Sequence, residues 1–134
     1  MTMRLIAGAA ALLLNAGSAL AQTPDAAPLS GKDQFEATCS ACHQVTGLGI
    51  PGAFPALAGN VFLQGDERAV VSTVLNGRGG MPTFKADLSD AQIAAILTYV
   101  RSAWGNKAAP VAPATVAAVR AQLAPPKPAG LQAH

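Results

Sequence analysis

The pentapeptide CSACH at residues 39–43 constrains this chain more than any other feature, because it holds the only two cysteines. Cys39 and Cys42 are separated by two residues, and His43 follows directly. On a helix, this spacing brings both thiols to the same side. Such a pair is typical of a redox disulfide, of half a zinc site, or of a covalent haem attachment point. The surrounding sequence has to distinguish these chemistries.

Residues 1–21 predict a secretory signal peptide. Arg4 supplies the positive start, residues 5–14 are apolar, and Ala19-Leu20-Ala21 forms a small-residue cleavage site. A membrane span needs about 20 apolar residues, so we expect none after cleavage. We expect a periplasmic location in a Gram-negative bacterium, where unpaired thiols tend to be oxidised.

After the signal, the sequence predicts one small domain with a flexible leader and a tail. The leader covers 22–29, the domain covers 30–106, and the Ala/Pro-rich tail covers 107–134, with a short helix at 113–123. The chain has a formal net charge of +2 and no cluster of basic residues, so nucleic acid is not an expected partner. Aromatic residues make up only 4% of the chain, and so small a core would gain from a large apolar group to fold around.

The sequence predicts an all-α domain, because no segment shows a convincing pattern for a strand. The first helix begins after Ser30 as N-cap, the second covers 66–77, and the third covers 89–106. Ser89 and Gln92 predict a capping box for the third helix. The connections 44–60 and 77–88 are rich in glycine and proline, which excludes regular elements there.

Three alternatives to haem explain the CSACH residues poorly. Zinc needs four ligands, or three and a water, and the only other histidine is His134, at the end of the tail. A thioredoxin-like pair requires a βαβ context. A plain disulfide between Cys39 and Cys42 would close a very short loop, restrain the unfolded chain little, and leave His43 without a role. In haem attachment, both cysteines form thioethers and His43 binds the iron.

Met81 is the candidate for a second axial ligand. It is the only methionine after residue 21 and lies in GRGGMP rather than on a helix stripe. The glycines allow close backbone approach, and Pro82 restricts the residue before it. The alternative is a methionine that fills the core.

The segments GKDQFEATCSACH, FPALAG and GGMP together resemble class I cytochromes c, over about residues 30–105. The resemblance implies three to four helices wrapped around one covalently bound haem c. It also implies that Gly31 and Phe35 pack on Ile96 and Tyr99. The carbonyl of Pro55 would accept a hydrogen bond from the haem histidine.

The family resemblance implies an electron carrier rather than an enzyme, one that shuttles single electrons between a dehydrogenase and an acceptor or oxidase. The run LTYVRSAWGN is similar to bacterial cytochromes that accompany periplasmic dehydrogenases or terminal oxidases. Expected partners are therefore such a dehydrogenase, a terminal oxidase or another cytochrome. The alternatives are a haem subunit of a larger dehydrogenase complex, or a haem enzyme acting on peroxide or a small sulfur compound. Arg78 would bind either a carboxylate of the haem or a carboxylate of a partner protein. The alternative is a loop cation that stays solvated.

Overall fold

The computed structural model describes residues 29–125, and this range is helical without a strand. Two isolated bridges pair Ile50 with Phe54 and Arg78 with Met81. The helices are α1 (Gly31–Thr38), α2 (Ser40–His43), α3 (Val61–Gln64), α4 (Glu67–Asn76), α5 (Asp90–Val100) and α6 (Pro113–Gln122). The predicted all-α fold is confirmed.

The predicted signal peptide, most of the leader and the end of the tail lie outside the described residues. Within residues 29–125, no helix has the length and apolar character needed to cross a bilayer.

The predicted first helix is divided at the first cysteine. Ser30 caps α1, its hydroxyl accepting from the Asp33 amide at 3.2 Å. Cys39 has φ −113° and interrupts the helix, and α2 continues directly from it. The amide of His43 still donates to the Cys39 carbonyl at 3.0 Å, so the attachment motif forms one compact helical turn.

Helix α3 was not predicted, because it is a single turn within an apolar connection. Asn60 caps it, its side-chain oxygen accepting from the amides of Phe62 at 2.9 Å and Leu63 at 3.3 Å. Helix α4 begins after Asp66, whose carboxylate accepts from the Arg68 amide.

The predicted third helix is shorter than expected. Its capping box between Ser89 and Gln92 is present, but α5 ends at Val100 instead of 106. Trp104, with φ 49°, and Gly105, with φ 85°, are in the left-handed region, which cannot continue a helix. The helix that was predicted to reach residue 106 therefore stops before Trp104.

The folded core extends beyond the predicted domain end at 106. Val111, Val116 and Val119 are buried in the same cluster as Phe35, and α6 packs against α4 and α5. The sequence prediction treated 107–134 as a tail because its alanines and prolines show only a weak apolar stripe. Val116 and Val119 are the two buried residues of α6, and with Val111 just before the helix they are enough to anchor it on the core.

Helices α1 and α5 form the main packing contact. Gly31 lies against α5, where an added Cβ would overlap the Ala95 carbonyl. Phe35 is fully buried, and its ring centroid lies 5.6 Å from that of Tyr99. The expected contact of Gly31 and Phe35 with α5 is present, with Ala95 and Tyr99 as the closest partners of Gly31.

Candidate functional site

The five site residues predicted from the sequence line one cleft, which lies between α1–α2 and the segment 77–88, called here the Met81 loop. The residues are Cys39, Cys42, His43, Pro55 and Met81. An inner cavity adjoins this outer one and reaches the core, with walls from Phe35, Val70, Ile96, Leu97 and Val100 among others. The outer cavity has a volume of about 180 Å³ and the inner one about 110 Å³. Because the two adjoin, together they come close to the lower end of the roughly 300–1,000 Å³ of cofactor pockets.

The ring of His43 is oriented by a backbone carbonyl. Its Nδ1 lies 3.0 Å from the carbonyl oxygen of Pro55. A carbonyl can only accept, so Nδ1 carries the proton and donates it. Nε2 then keeps a lone pair, which is the form of imidazole that binds a metal.

The two cysteines are half-buried in the cleft wall and are not joined to each other by a disulfide. Burial raises the pKa of the Cys39 thiol to about 11, and the neighbouring Cys42 adds to the shift. No group of three His, Cys, Asp or Glu side chains within residues 29–125 could hold a metal ion. The remaining zinc candidate, His134, lies outside the described residues.

The Met81 loop folds back on the end of α4. Arg78 and Met81 exchange backbone hydrogen bonds of 3.0 and 3.3 Å, which places the half-buried Met81 in both cavities. Gly77, with φ 73°, starts the loop, and a Cβ there would overlap the Met81 carbonyl. The glycine is required both for its backbone angle and for this close approach.

Arg78 supplies a positive charge at the cleft. Its guanidinium carbon lies 4.6 Å from the centroid of the Phe62 ring, and the residue lines both cavities. The ion pairs of residues 29–125 join Lys32 to Glu36 and Arg120 to Asp90, so Arg78 has no carboxylate partner there. A cation held this way over a cavity suits a ligand that carries a carboxylate.

Trp104 holds the connection after the motif. Its indole N–H donates to the Val45 carbonyl at 3.2 Å, and an added Cβ at Gly47 would overlap its ring. The ring also contacts Phe35 and Tyr99, with centroids at 5.1 and 5.4 Å. The sequence offered no signal for this contact, because Val45 and Trp104 are joined only by the fold.

The apolar wall of the cleft includes residues of the connection that follows the motif. Phe54 lines the outer cavity and Leu57 the inner one. Ile50 is 40% exposed and lines neither. Leu75 is fully buried in the core, behind the wall rather than in it. Phe62 was missed, because it lies in the unpredicted α3.

The cleft fits a large flat apolar group held from both sides. It offers two thiols for covalent attachment, an imidazole nitrogen and a thioether at its walls, apolar side chains inside and one cation. Nitrogen and soft sulfur ligands suit iron in a haem. The inner cavity reaches core side chains that water would solvate poorly.

Comparison with known families shows a match over residues 26–100 to the family described as cytochrome c oxidase, cbb3-type, subunit III. This range contains both cysteines, His43, Pro55 and Met81.

Curated relatives include carriers and subunits of larger complexes. Cytochrome c-552 of Thermus thermophilus is 37% identical over 111 residues, covering 72% of this chain and 70% of the relative. The cbb3-type oxidase subunit CcoP of Azospirillum brasilense is 36% identical, covering 63% of this chain and 31% of the subunit. The cytochrome c subunit of the quinone alcohol dehydrogenase of Gluconacetobacter polyoxogenes is 33% identical, covering 69% and 21% respectively. This chain thus spans less than a third of either subunit.

Proposed function

The chain is a c-type cytochrome of the family described as subunit III of cbb3-type cytochrome c oxidase, and on this basis we propose that it shuttles single electrons in the periplasm with His43 and Met81 as axial ligands. Membership of the family implies covalently bound haem c, for which Cys39 and Cys42 are the two attachment thiols. When bound, the haem supplies a one-electron couple between ferrous and ferric iron.

The observation that carries the proposal is the meeting of four side chains in one cleft. Cys39 and Cys42 come from the turn at α1–α2, and His43 presents a free Nε2 because Pro55 holds its other nitrogen. Met81 comes from the opposite side, on a loop closed by hydrogen bonds with Arg78. With an imidazole and a thioether as ligands, no axial position is left for a substrate.

The surrounding residues favour the reduced form. A thioether is a soft ligand that stabilises ferrous iron relative to a second histidine. Phe54 and Leu57 line the two cavities with apolar surface, and an apolar surrounding of the iron disfavours the more highly charged ferric form. Arg78 adds a positive charge beside the cleft, and its guanidinium suits a haem carboxylate.

The redox partners are inferred from the relatives and the exposed surface. Relatives include subunits of an oxidase and of a dehydrogenase, so we place this carrier between proteins of those kinds. Val45 and Leu48, on the connection after the motif, are 56% and 62% exposed. This apolar surface beside the attachment site suits a small, short-lived interface.

A second candidate function is a haem subunit of a larger dehydrogenase. It is favoured by the similarity to the dehydrogenase cytochrome subunit. Purification under mild conditions distinguishes the two: a carrier is recovered alone, whereas a subunit is recovered with a flavin- or quinone-containing chain.

The test of the ligands is optical and electrochemical. The chain is expressed with a haem-attachment system, and oxidised and reduced spectra are recorded. We expect the weak far-red band of methionine-ligated ferric haem. Met81→Ala should lose this band, bind carbon monoxide and lower the reduction potential, while Met81→His should keep two ligands but also lower the potential.

Two outcomes would refute the assignment. An unchanged far-red band and potential in Met81→Ala would remove Met81 from the iron. If Cys39→Ala, Cys42→Ala and His43→Ala all matured with unchanged spectra, haem attachment at this motif would be wrong. A control cytochrome matured in the same cells shows that the attachment system works.

A further inference from the structure

We propose that Arg120, on the C-terminal helix α6, is a positioning residue for the Met81 loop and thereby sets how readily the methionine leaves the iron. This inference rests on the proposed ligation by Met81. It assigns a role to a helix that the sequence placed in a tail.

The guanidinium of Arg120 joins three points that surround the end of the loop. Nη1 donates to the Lys85 carbonyl, and Nη2 donates to the Leu88 carbonyl at 2.9 Å. Nε donates to the Asp90 carboxylate at 2.7 Å. One partly buried side chain thus connects the loop, the first turn of α5 and α6.

The two halves of the loop are held by different elements. In the first half, the Thr83 hydroxyl donates to the Leu75 carbonyl at 2.5 Å, and the Phe84 amide donates to the Val74 carbonyl at 3.1 Å. Both contacts go to α4. In the described range, hydrogen bonds from outside the loop to the backbone of residues 85–88 come from Arg120 alone.

Lys85 provides a second link to α6. Its ammonium donates to the Leu123 carbonyl, just after α6, at 2.9 Å. The last turn of α6 is thus joined to the loop in both directions, by an arginine from the helix and by a lysine from the loop. Hydrogen bonds to charged groups are stronger than neutral ones, so these links oppose local opening of the loop.

Opening of residues 85–88 would leave Met81 held only by its pairing with Arg78 and by the contacts of Thr83 and Phe84 with α4, so Met81 could leave the cleft more easily. Local opening costs less free energy than global unfolding wherever few contacts hold a segment. Removing the Arg120 guanidinium should therefore raise the population of the open loop. The packing of α1 on α5 does not depend on this side chain.

The experiment measures how fast imidazole displaces Met81 in the ferric holoprotein. Loss of the far-red band reports the displacement. We compare Arg120→Gln, Arg120→Lys and the control Arg68→Gln. The control removes the 2.9 Å bond from Arg68 to Gln122, which joins α6 to α4 and leaves the Met81 loop untouched. Urea unfolding followed by circular dichroism gives global stability separately.

We expect Arg120→Gln to accelerate displacement about tenfold, because losing a hydrogen bond from a charged group changes the population of an open state by about that factor. Arg120→Lys should be intermediate, since lysine keeps the charge near Asp90 but cannot reproduce the planar fork. Arg68→Gln should change the rate less than about twofold, well below the arginine effect. An Arg120→Gln rate within twofold of the unmodified protein, or equal acceleration in Arg68→Gln, overturns the proposal.

A further variant and a second readout keep the proposal testable. If Arg120→Gln does not mature, Lys85→Gln removes the other link and should still accelerate displacement, and an unchanged rate overturns the proposal. If the unmodified protein lacks the far-red band, the ligand assignment fails. Hydrogen exchange then decides whether Arg120 holds the Met81 loop closed. Faster exchange of the Phe84 and Leu88 amides in Arg120→Gln than in Arg68→Gln supports this role. Equal exchange in the two variants rejects this role.

Discussion

Arg78 lies on the surface but is held in place. The Phe62 ring lies under its guanidinium, and its backbone pairs with that of Met81, so the charge stays beside the cleft. A fixed positive charge favours the form of the cofactor that has gained an electron. Salt and solvent reduce the effect, because the side chain is exposed.

Arg78→Gln should lower the reduction potential by roughly 30 mV, which for one electron corresponds to under about 1 kcal/mol, a size typical of a partly screened charge. Arg78→Lys should lower the reduction potential less than Arg78→Gln does, since lysine keeps the charge but loses the stack on Phe62. Spectroelectrochemical titration at fixed ionic strength measures this shift. The control Arg68→Gln removes one positive charge at a position that does not line the cleft. An equal shift of the reduction potential in this variant would contradict a local role for Arg78.

At the scale of elements, a buried arginine joins the end of α5 to α3. Arg101 is 4% exposed. Its guanidinium donates to the carbonyls of Leu63 at 2.6 Å, Gly65 at 3.2 Å and Ala109 at 3.0 Å. The carbonyls at the end of α3 have no partner within that short helix, and Arg101 satisfies them.

Arg101→Met should lower the free energy of unfolding by about 3 kcal/mol, because buried carbonyls lose charged donors. Urea unfolding of the holoprotein measures the change. Lys107→Met alters an exposed cation in the segment after α5 and should have little effect. Similar losses in both variants would show that the buried contacts of Arg101 are not responsible.

At the scale of the whole molecule, the cofactor cleft and the core share their walls. Phe35, Val70, Ile96, Leu97 and Val100 are buried in the core and also line the inner cavity. One side of these residues therefore faces the cleft, where haem would pack against them. A domain of this size buries little apolar surface and is only marginally stable on its own.

Protein made without a haem-attachment system should therefore be much less stable than the holoprotein. We expect a loss of cooperative thermal unfolding and of part of the helical circular dichroism at 25 °C, since the apolar wall of the cleft then lacks a partner. The control is the holoprotein made in the same strain with the haem-attachment system present. Equal helix content and an equally sharp transition in both forms would show that the polypeptide core suffices.

Much of the fold was predictable because its signals are local. The caps at Ser30, Asp66 and Ser89 each bind amides two or three residues ahead, so residue type and spacing reveal them. The end of α5 at Val100 was predicted poorly, because contacts that depend on the fold help to set it. Asn106 shows this for α5: its side chain donates to the carbonyls of both Val100 and Leu57.

By itself, the sequence predicted the all-α class, the attachment motif and Met81, because spacing along a helix and the chemistry of side chains need no knowledge of the fold. Pro55 was added by the resemblance to class I cytochromes c. Only the tertiary structure decided that α6 belongs to the core, that Trp104 holds the segment after His43, and that Arg101 and Arg120 join separate elements. These contacts link residues that are distant in the chain. Whether such a pair meets depends on how all the helices pack, which no local pattern records.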